Sequence, residues 1–171
     1  MDFTIRERAL QRMKGFLDGR SDKPMTLVRE LLERPEDGQI KLYVIRQTLS
    51  LRKGNADLFR DGQYVPLRSI GDYAKHVVAF ARAHKSGMMI VAVPRLCAAL
   101  LKGEPCLPSG GNLWKDTRIR LSDGAGQVFR NVFTGNVVEA EARQGSPVLT
   151  AAELFDEFPV ALLTLVGGQA P

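Results

Sequence analysis

Long apolar runs are missing from this chain of 171 residues, and that absence is the first constraint. No stretch approaches the roughly 18 apolar residues that a membrane span needs, so no membrane partner is expected. The opening MDFTIRERALQRMKG alternates charge with apolar residues and has no continuous apolar centre, unlike a secretory signal. Cysteine is scarce. Cys97 and Cys106 are too few for a disulfide scaffold, and Cys97 lies in RLCAALL as a small apolar residue. A bridge between them is conceivable, but a reduced pair in a cytoplasmic protein is the expectation. The two histidines, His76 and His84, have no Cys, His or carboxylate cluster at ligand spacing, so no metal is expected. No serine sits in a G-x-S-x-G elbow, and LPSGGN at 107–112 lacks the Lys-Ser/Thr ending of a phosphate loop. Nucleophilic catalysis and cofactor binding therefore have no visible apparatus.

Carboxylates are present but not arranged for glycoside chemistry, which needs a pair from separate elements flanking one bond. Glu36-Asp37 fall in a turn, Glu139 and Glu141 in a polar segment, and Asp156-Glu157 at the end of a short helix. The net charge of +5 is uneven: residues 1–54 hold twelve Lys and Arg against eight Asp and Glu. Interspersion, as in Arg6-Glu7-Arg8 and Glu33-Arg34, favours an ordinary solvated helix face over a nucleic-acid surface.

What is there divides into two parts. Ile5, Ala9, Met13 and Phe16 fall at helical spacing and predict a helix over 3–17, stopped by Asp18-Gly19. Pro24 opens a second helix, MTLVRELLER, with proline in the first turn where its missing N–H costs nothing, and Pro35–Gly38 ends it. A third helix is expected over about 38–53, ended by Gly54-Asn55. Its apolar positions Ile40, Leu42, Tyr43, Val44, Ile45, Leu49 and Leu51 lie on more than one face, which predicts burial on two sides. The period then changes. Strands are expected at 64–67, 76–82, 88–93, 117–121, 127–133 and 159–166, with turns at Lys85-Ser86-Gly87, Ser122-Asp123-Gly124 and Thr134-Gly135-Asn136. Two short helices, 95–101 and 151–157, interrupt them, and Thr150 with Glu153 fits a capping box. The tail from Gly167 to Pro171 is expected to be loose. The fold class is α+β: a helical segment, 1–54, then an antiparallel β-sandwich, 55–171.

Few side chains stand out. Trp114 is the single tryptophan. Followed by Lys115-Asp116-Thr117-Arg118, it fits either a ring stacked on a sugar or a core ring, and the core is the stronger expectation. Tyr64 and Tyr73 are the other candidate stacking rings. Lys41, among apolar neighbours, fits a snorkelling cation or, with Tyr43, a contact at a domain boundary.

The order of several segments carries a resemblance. Leu49, Leu51-Arg52-Lys53, Ala56-Asp57-Leu58-Phe59, Gly62, Tyr64 and Leu67, then Val77–Arg82 and Met88–Val93, resemble the junction between barrel and C-terminal β-domain in the α-amylase superfamily. Asp37–Leu42, Val93-Pro94-Arg95-Leu96, Trp114–Arg118, Phe133-Thr134-Gly135 and the closing Ala152–Phe155 and Phe158–Leu163 together resemble the C-terminal end of the maltooligosyl trehalose synthase family. Phe129 stands where that family's tryptophan is expected. The family turns the reducing-end α-1,4 bond of a maltooligosaccharide into α-1,1, using carboxylates of a (β/α)₈ barrel. The resemblance implies that such a barrel would precede Met1, so no catalytic residue transfers to this chain. It implies a non-catalytic part whose partner is that barrel, with maltooligosaccharide as a further ligand and a homodimer through any uncovered barrel-facing surface. The sequence does not decide whether Met1 is a natural start. A free-standing carbohydrate-binding module is the second reading, and a basic nucleic-acid-binding protein the third.

Overall fold

The computed structural model describes residues 3–18, 24–122, 126–143 and 145–167, with the side chains of 17 and 18 left out. The expected stop at Gly19, most of the turn at 122–124 and most of the tail lie outside the described residues. Contacts divide the chain into two units, Met1–Gly54 with Phe133–Gly135, and Asn55–Val132 with Asn136–Pro171.

The first unit is helical. Helix α1 spans Phe3–Asp18, α2 Pro24–Leu32 and α3 Gln39–Gly54, and the three pack pairwise. Leu27, Val28 and Leu31 of α2, Met13 of α1 and Tyr43 of α3 are buried. A single 3-10 turn at Pro35–Asp37 separates α2 from α3, and Gly38 there has φ +77°. Asp37 then caps α3, its Oδ1 accepting from the Gln39 N–H at 2.7 Å, which satisfies one of the helix's orphan donors. The expected two-sided burial of α3 is not what is seen: Tyr43 is its one buried residue, and Ile45 and Leu49 are 45% and 56% exposed. Two other helices cannot cover every side of a third.

The second unit opens with α4, Ala56–Arg60, which restarts one residue after α3 ends. Among the described residues nine strands follow: β1 Gln63–Ile70, β2 Val77–His84, β3 Gly87–Pro94, β4 Arg118–Arg120, β5 Val128–Asn131, β6 Val137–Glu139, β7 Glu141–Arg143, β8 Ser146–Thr150 and β9 Ala161–Leu165. They form one antiparallel sheet in the order β6-β5-β9-β3-β2-β1-β4-β8-β7. Helix α5, Cys97–Leu100, follows β3, and α6, Ala151–Leu154, follows β8. Half of the expected capping box is present: Thr150 Oγ1 accepts from the Glu153 N–H at 3.3 Å, while the Glu153 carboxylate accepts from the Thr150 hydroxyl at 2.6 Å rather than from its backbone N–H.

Alternation sets the core. Along β2, Val77, Ala79 and Ala81 are buried while Val78, Phe80 and Arg82 are not, as a strand with one covered face requires. The register carries that inner face across the sheet. Ala79 faces Leu67 and Ala92, and Ala92 faces Ala161. Ile119 of β4 faces Leu149 of β8. Residues from both ends of the strand order, Phe129 and Val138 at one and Ile119 and Leu149 at the other, join one buried cluster. The sheet therefore curls until its halves face each other. Trp114, Leu154 and Phe155 belong to the same cluster, where small alanines such as Ala79, Ala81, Ala92 and Ala161 accompany the large side chains.

Arg82, on the outer face, ties α4 to the sheet. It donates to the carbonyls of Leu58 at 3.2 Å, Phe59 at 2.8 Å and Gly62 at 3.0 Å. The first two are C-terminal carbonyls of α4 and the third lies just past its end, where a cation also complements the helix dipole.

Candidate functional site

The three candidate stacking rings do not form one platform. Trp114 is wholly buried and tilted against Phe155 at 4.8 Å between ring centroids. It offers no face to a sugar, so the structure assigns it to the core and removes it as a stacking ring. Its indole N–H has no hydrogen-bond acceptor among the described residues. Tyr64, 55% exposed, lies over Phe80 at 5.0 Å. Tyr73 is half-buried beyond the other end of β1. Six residues of strand between Tyr64 and the end of β1 put about 20 Å between the two ends, more than one sugar ring spans.

Around Tyr73 the loops make a tight constellation. The Thr117 N–H donates to the Trp114 carbonyl at 3.0 Å, closing a four-residue turn whose first central residue is Lys115 at φ +47°, ψ −123°. These are the angles of a type II′ turn, whose first central position favours glycine. Lys115 reaches the Asp72 carboxylate at 3.3 Å and lies over the Tyr73 ring at 5.1 Å. The hydrogen bond to Asp72 holds its ammonium above the ordinary lysine range. Asp116 Oδ1 accepts from the Asp72 N–H at 2.9 Å and Thr117 Oγ1 from the Tyr73 N–H at 3.1 Å. Gly71, at φ +98°, lets this loop approach: a Cβ there would lie 2.7 Å from the Asp116 carbonyl oxygen. The sequence signalled WKDT as a segment but not that its turn would be braced by Asp72. His76 is buried beside it, with Nδ1 3.2 Å from the Arg95 carbonyl oxygen. Asp72, Tyr73, Lys115, Asp116 and Thr117 partner one another, which makes the constellation a clasp between β1 and β4.

In the helical unit, Lys41 is exposed, whereas Tyr43 is fully buried. The Tyr43 hydroxyl donates to the Phe133 carbonyl at 2.6 Å, and burial pushes its phenol up to about 12. Large apolar side chains remain open on the same unit: Phe3 (72%), Ile5 (65%), Leu10 and Phe16 on α1, with Ile45 and Leu49 on α3. On one stripe of α1 the middle residue, Met13, is covered while Ile5 and Phe16 are not. In the sheet unit a cleft of about 280 Å³ is lined mainly by Val65, Leu67, Ala81, Ala83, Met88 and Leu121. Its polar contributors, Gln63 and Ser122, are uncharged. Among the described residues no three His, Cys, Asp or Glu side chains are grouped to hold a metal ion, and no helix is long and apolar enough to cross a membrane.

No protein-family model matches the chain. Curated maltooligosyl trehalose synthase sequences from two strains of Mycobacterium tuberculosis are 31% identical over 123 residues, 72% of this chain, within their C-terminal region. The chain is related to the C-terminal region of maltooligosyl trehalose synthase. A solved structure of a maltooligosyltrehalose synthase mutant from Arthrobacter ramosus shares the fold, with a TM-score of 0.54 and 26% identity over 81% of this chain. The chain spans 13% of the length of the curated synthases and 16% of the solved one. The helices followed by an antiparallel sheet are thus the architecture of this part of the synthase. Phe129, which stands where a tryptophan is expected, is fully buried in the core of the sheet unit.

Proposed function

We propose that this chain is the non-catalytic C-terminal part of a maltooligosyl trehalose synthase, and that its helical unit lies against the enzyme's catalytic (β/α)₈ barrel. The observation that carries this reading is the number of large apolar side chains left open on α1 and α3. Phe3, Ile5, Ile45 and Leu49 are each about half exposed or more, and a stable monomer seldom leaves such side chains grouped on one unit. The similarity to a small share of a much longer synthase supplies a partner for these side chains. The chain's contribution is burial and positioning, while the glucan rearrangement belongs to residues of the barrel. A cytoplasmic location and maltooligosaccharide as the substrate of the assembled enzyme follow from the same reading.

Two measurements test it. The purified chain, incubated with maltopentaose, is expected to yield no trehalose-ended product, and such product would overturn the reading. The chain is also expected to associate with a separately produced barrel portion of the synthase, and Ile45→Asp with Leu49→Asp to abolish that association. Undiminished association by the double variant would remove these two residues from the interface. Tyr64 and Tyr73, at opposite ends of β1, give a free-standing glucan module two isolated rings. Unchanged maltooligosaccharide binding in Tyr64→Ala would leave that alternative without its most exposed ring.

A further inference from the structure

The outer face of the sheet carries a group of cations that the synthase reading does not use. In the pairing of β1 with β4, Arg68 lies directly opposite Arg120, Ser69 opposite Ile119 and Ile70 opposite Arg118. Ile119 points into the core with no exposed surface. Arg118 and Arg120, one residue either side, therefore share the opposite face, and Arg68 shares it with them. Directly opposed Cα atoms lie about 5 Å apart and residues two apart on a strand about 7 Å. Three guanidinium groups thus rise from one small triangle.

Like charges directly across a sheet destabilise the pair, and proteins normally offset this with a carboxylate. Here, among the described residues, Arg68, Arg118 and Arg120 have no ion pair or side-chain hydrogen bond. Along the same row, Arg120 faces Val148, and Val148 faces Glu141. That carboxylate is already bound by Arg143 at 2.8 Å. Thr150, opposite Arg118, has its hydroxyl engaged with Glu153. Arg68 and Arg120 are exposed and Arg118 half-buried, so the triangle is open to a ligand.

We propose that Arg68, Arg118 and Arg120 form an oxyanion site that takes a single phosphate group, either free or as a sugar phosphate ester. The planar forks of arginine match the tetrahedral oxygens of phosphate, and three such side chains rooted this close together on one face can reach a single group. Three cations in a triangle suit one such group better than a nucleic-acid backbone, which needs a strip of them. This site is independent of the barrel-facing helices, and its test stands whether or not the synthase reading holds.

The test uses the full chain in thermal unfolding at fixed ionic strength, with sodium chloride, inorganic phosphate or glucose 6-phosphate. Phosphate is expected to raise the midpoint over chloride with saturable dependence. A stronger rise with the ester identifies the sugar phosphate as the source, and an equal rise identifies free phosphate. Arg120→Gln and Arg68→Gln are each expected to weaken the phosphate response about tenfold, in line with loss of a charge-assisted contact. In low-salt chloride both are expected to unfold no earlier than wild type, because a like-charge neighbour has been removed. Arg60→Gln, whose arginine is already paired with Asp57 and Asp61, is expected to respond as wild type. Equal midpoints in phosphate and chloride, an undiminished response in Arg120→Gln, or earlier unfolding of the glutamine variants in chloride would each overturn the proposal.

Discussion

Removing the Tyr43 hydroxyl is expected to have opposite effects at neutral and alkaline pH. Tyr43→Phe keeps the ring that packs against Phe133 at 6.2 Å and deletes a buried hydrogen bond of 2.6 Å. That loss costs about 1 kcal/mol, with a range of about 0.5–1.5. The phenol, however, is held up to about 12 by burial, against an ordinary value of 10.0. A group whose folded pKa is raised contributes stability that is complete below its unfolded pKa and lost as pH rises through the folded one. The loss begins near pH 10 and approaches about 2.7 kcal/mol above pH 12. Tyr43→Phe has no proton to lose there. Wild type is therefore more stable at pH 8 and the variant more stable beyond a crossover between about pH 10 and 11. Other groups titrating in this range act on both proteins and cancel in the difference. Urea unfolding followed by circular dichroism across this range measures it. A difference that stays constant with pH would mean that the phenol ionises as freely in the folded chain as in the unfolded one.

Other outcomes follow from the sheet unit. Gly71→Ala is expected to cost at least about 1–3 kcal/mol, because its Cβ would meet backbone atoms of Asp116 and Thr117 at 2.7 and 2.9 Å. Lys115→Gly is expected to raise the urea midpoint, because glycine suits φ +47°, ψ −123°; a fall would make the Asp72 and Tyr73 contacts the stronger influence. Arg82→Lys is expected to lose about 1.5–3 kcal/mol, since an ammonium cannot reproduce a fork reaching the carbonyls of Leu58, Phe59 and Gly62. Trp114 fluorescence is expected to be that of a buried indole and insensitive to maltooligosaccharide. A saturable red shift on titration would return the ring to the binding surface.

The sequence made the strands rich in β-branched and aromatic residues legible and hid those without that signal. Val77–Arg82 and Met88–Val93 are largely apolar runs rich in β-branched and aromatic residues, and strands lie on both. Strands β6, β7 and β8 were not foreseen. Glu141–Arg143 is exposed at every position, so hydrophobicity gives it no signal, and three successive buried residues, Pro147, Val148 and Leu149, have no alternation to read. Register, set between distant segments, was equally invisible, and register is what brings Arg68 beside Arg120. The sequence offers Tyr43 as a domain-boundary residue, whereas its buried bond to a carbonyl 90 residues away needs tertiary structure to be seen. Trp114 stood out by its rarity and turned out to be core.

The two units differ in how much of their own core they hold, and that difference bears on the partner. The sheet unit closes a cluster that draws on both ends of its strand order. The helical unit fully covers Met13, Leu27, Val28, Leu31 and Tyr43 but leaves six large apolar side chains of α1 and α3 open. Its α2 has nine residues, shorter than the ~12–15 at which an isolated helix becomes even marginal in water. Burying a large apolar side chain fully contributes about 1.5–3 kcal/mol. Completing six partly covered ones would therefore add several kcal/mol, comparable with the whole stability of an ordinary domain. In the chain alone, amide hydrogens of α1 are accordingly expected to exchange well before those of β2 and β3. Equal protection of α1 and the central strands would make the helical unit self-sufficient, and the energetic reason for a barrel against it would disappear.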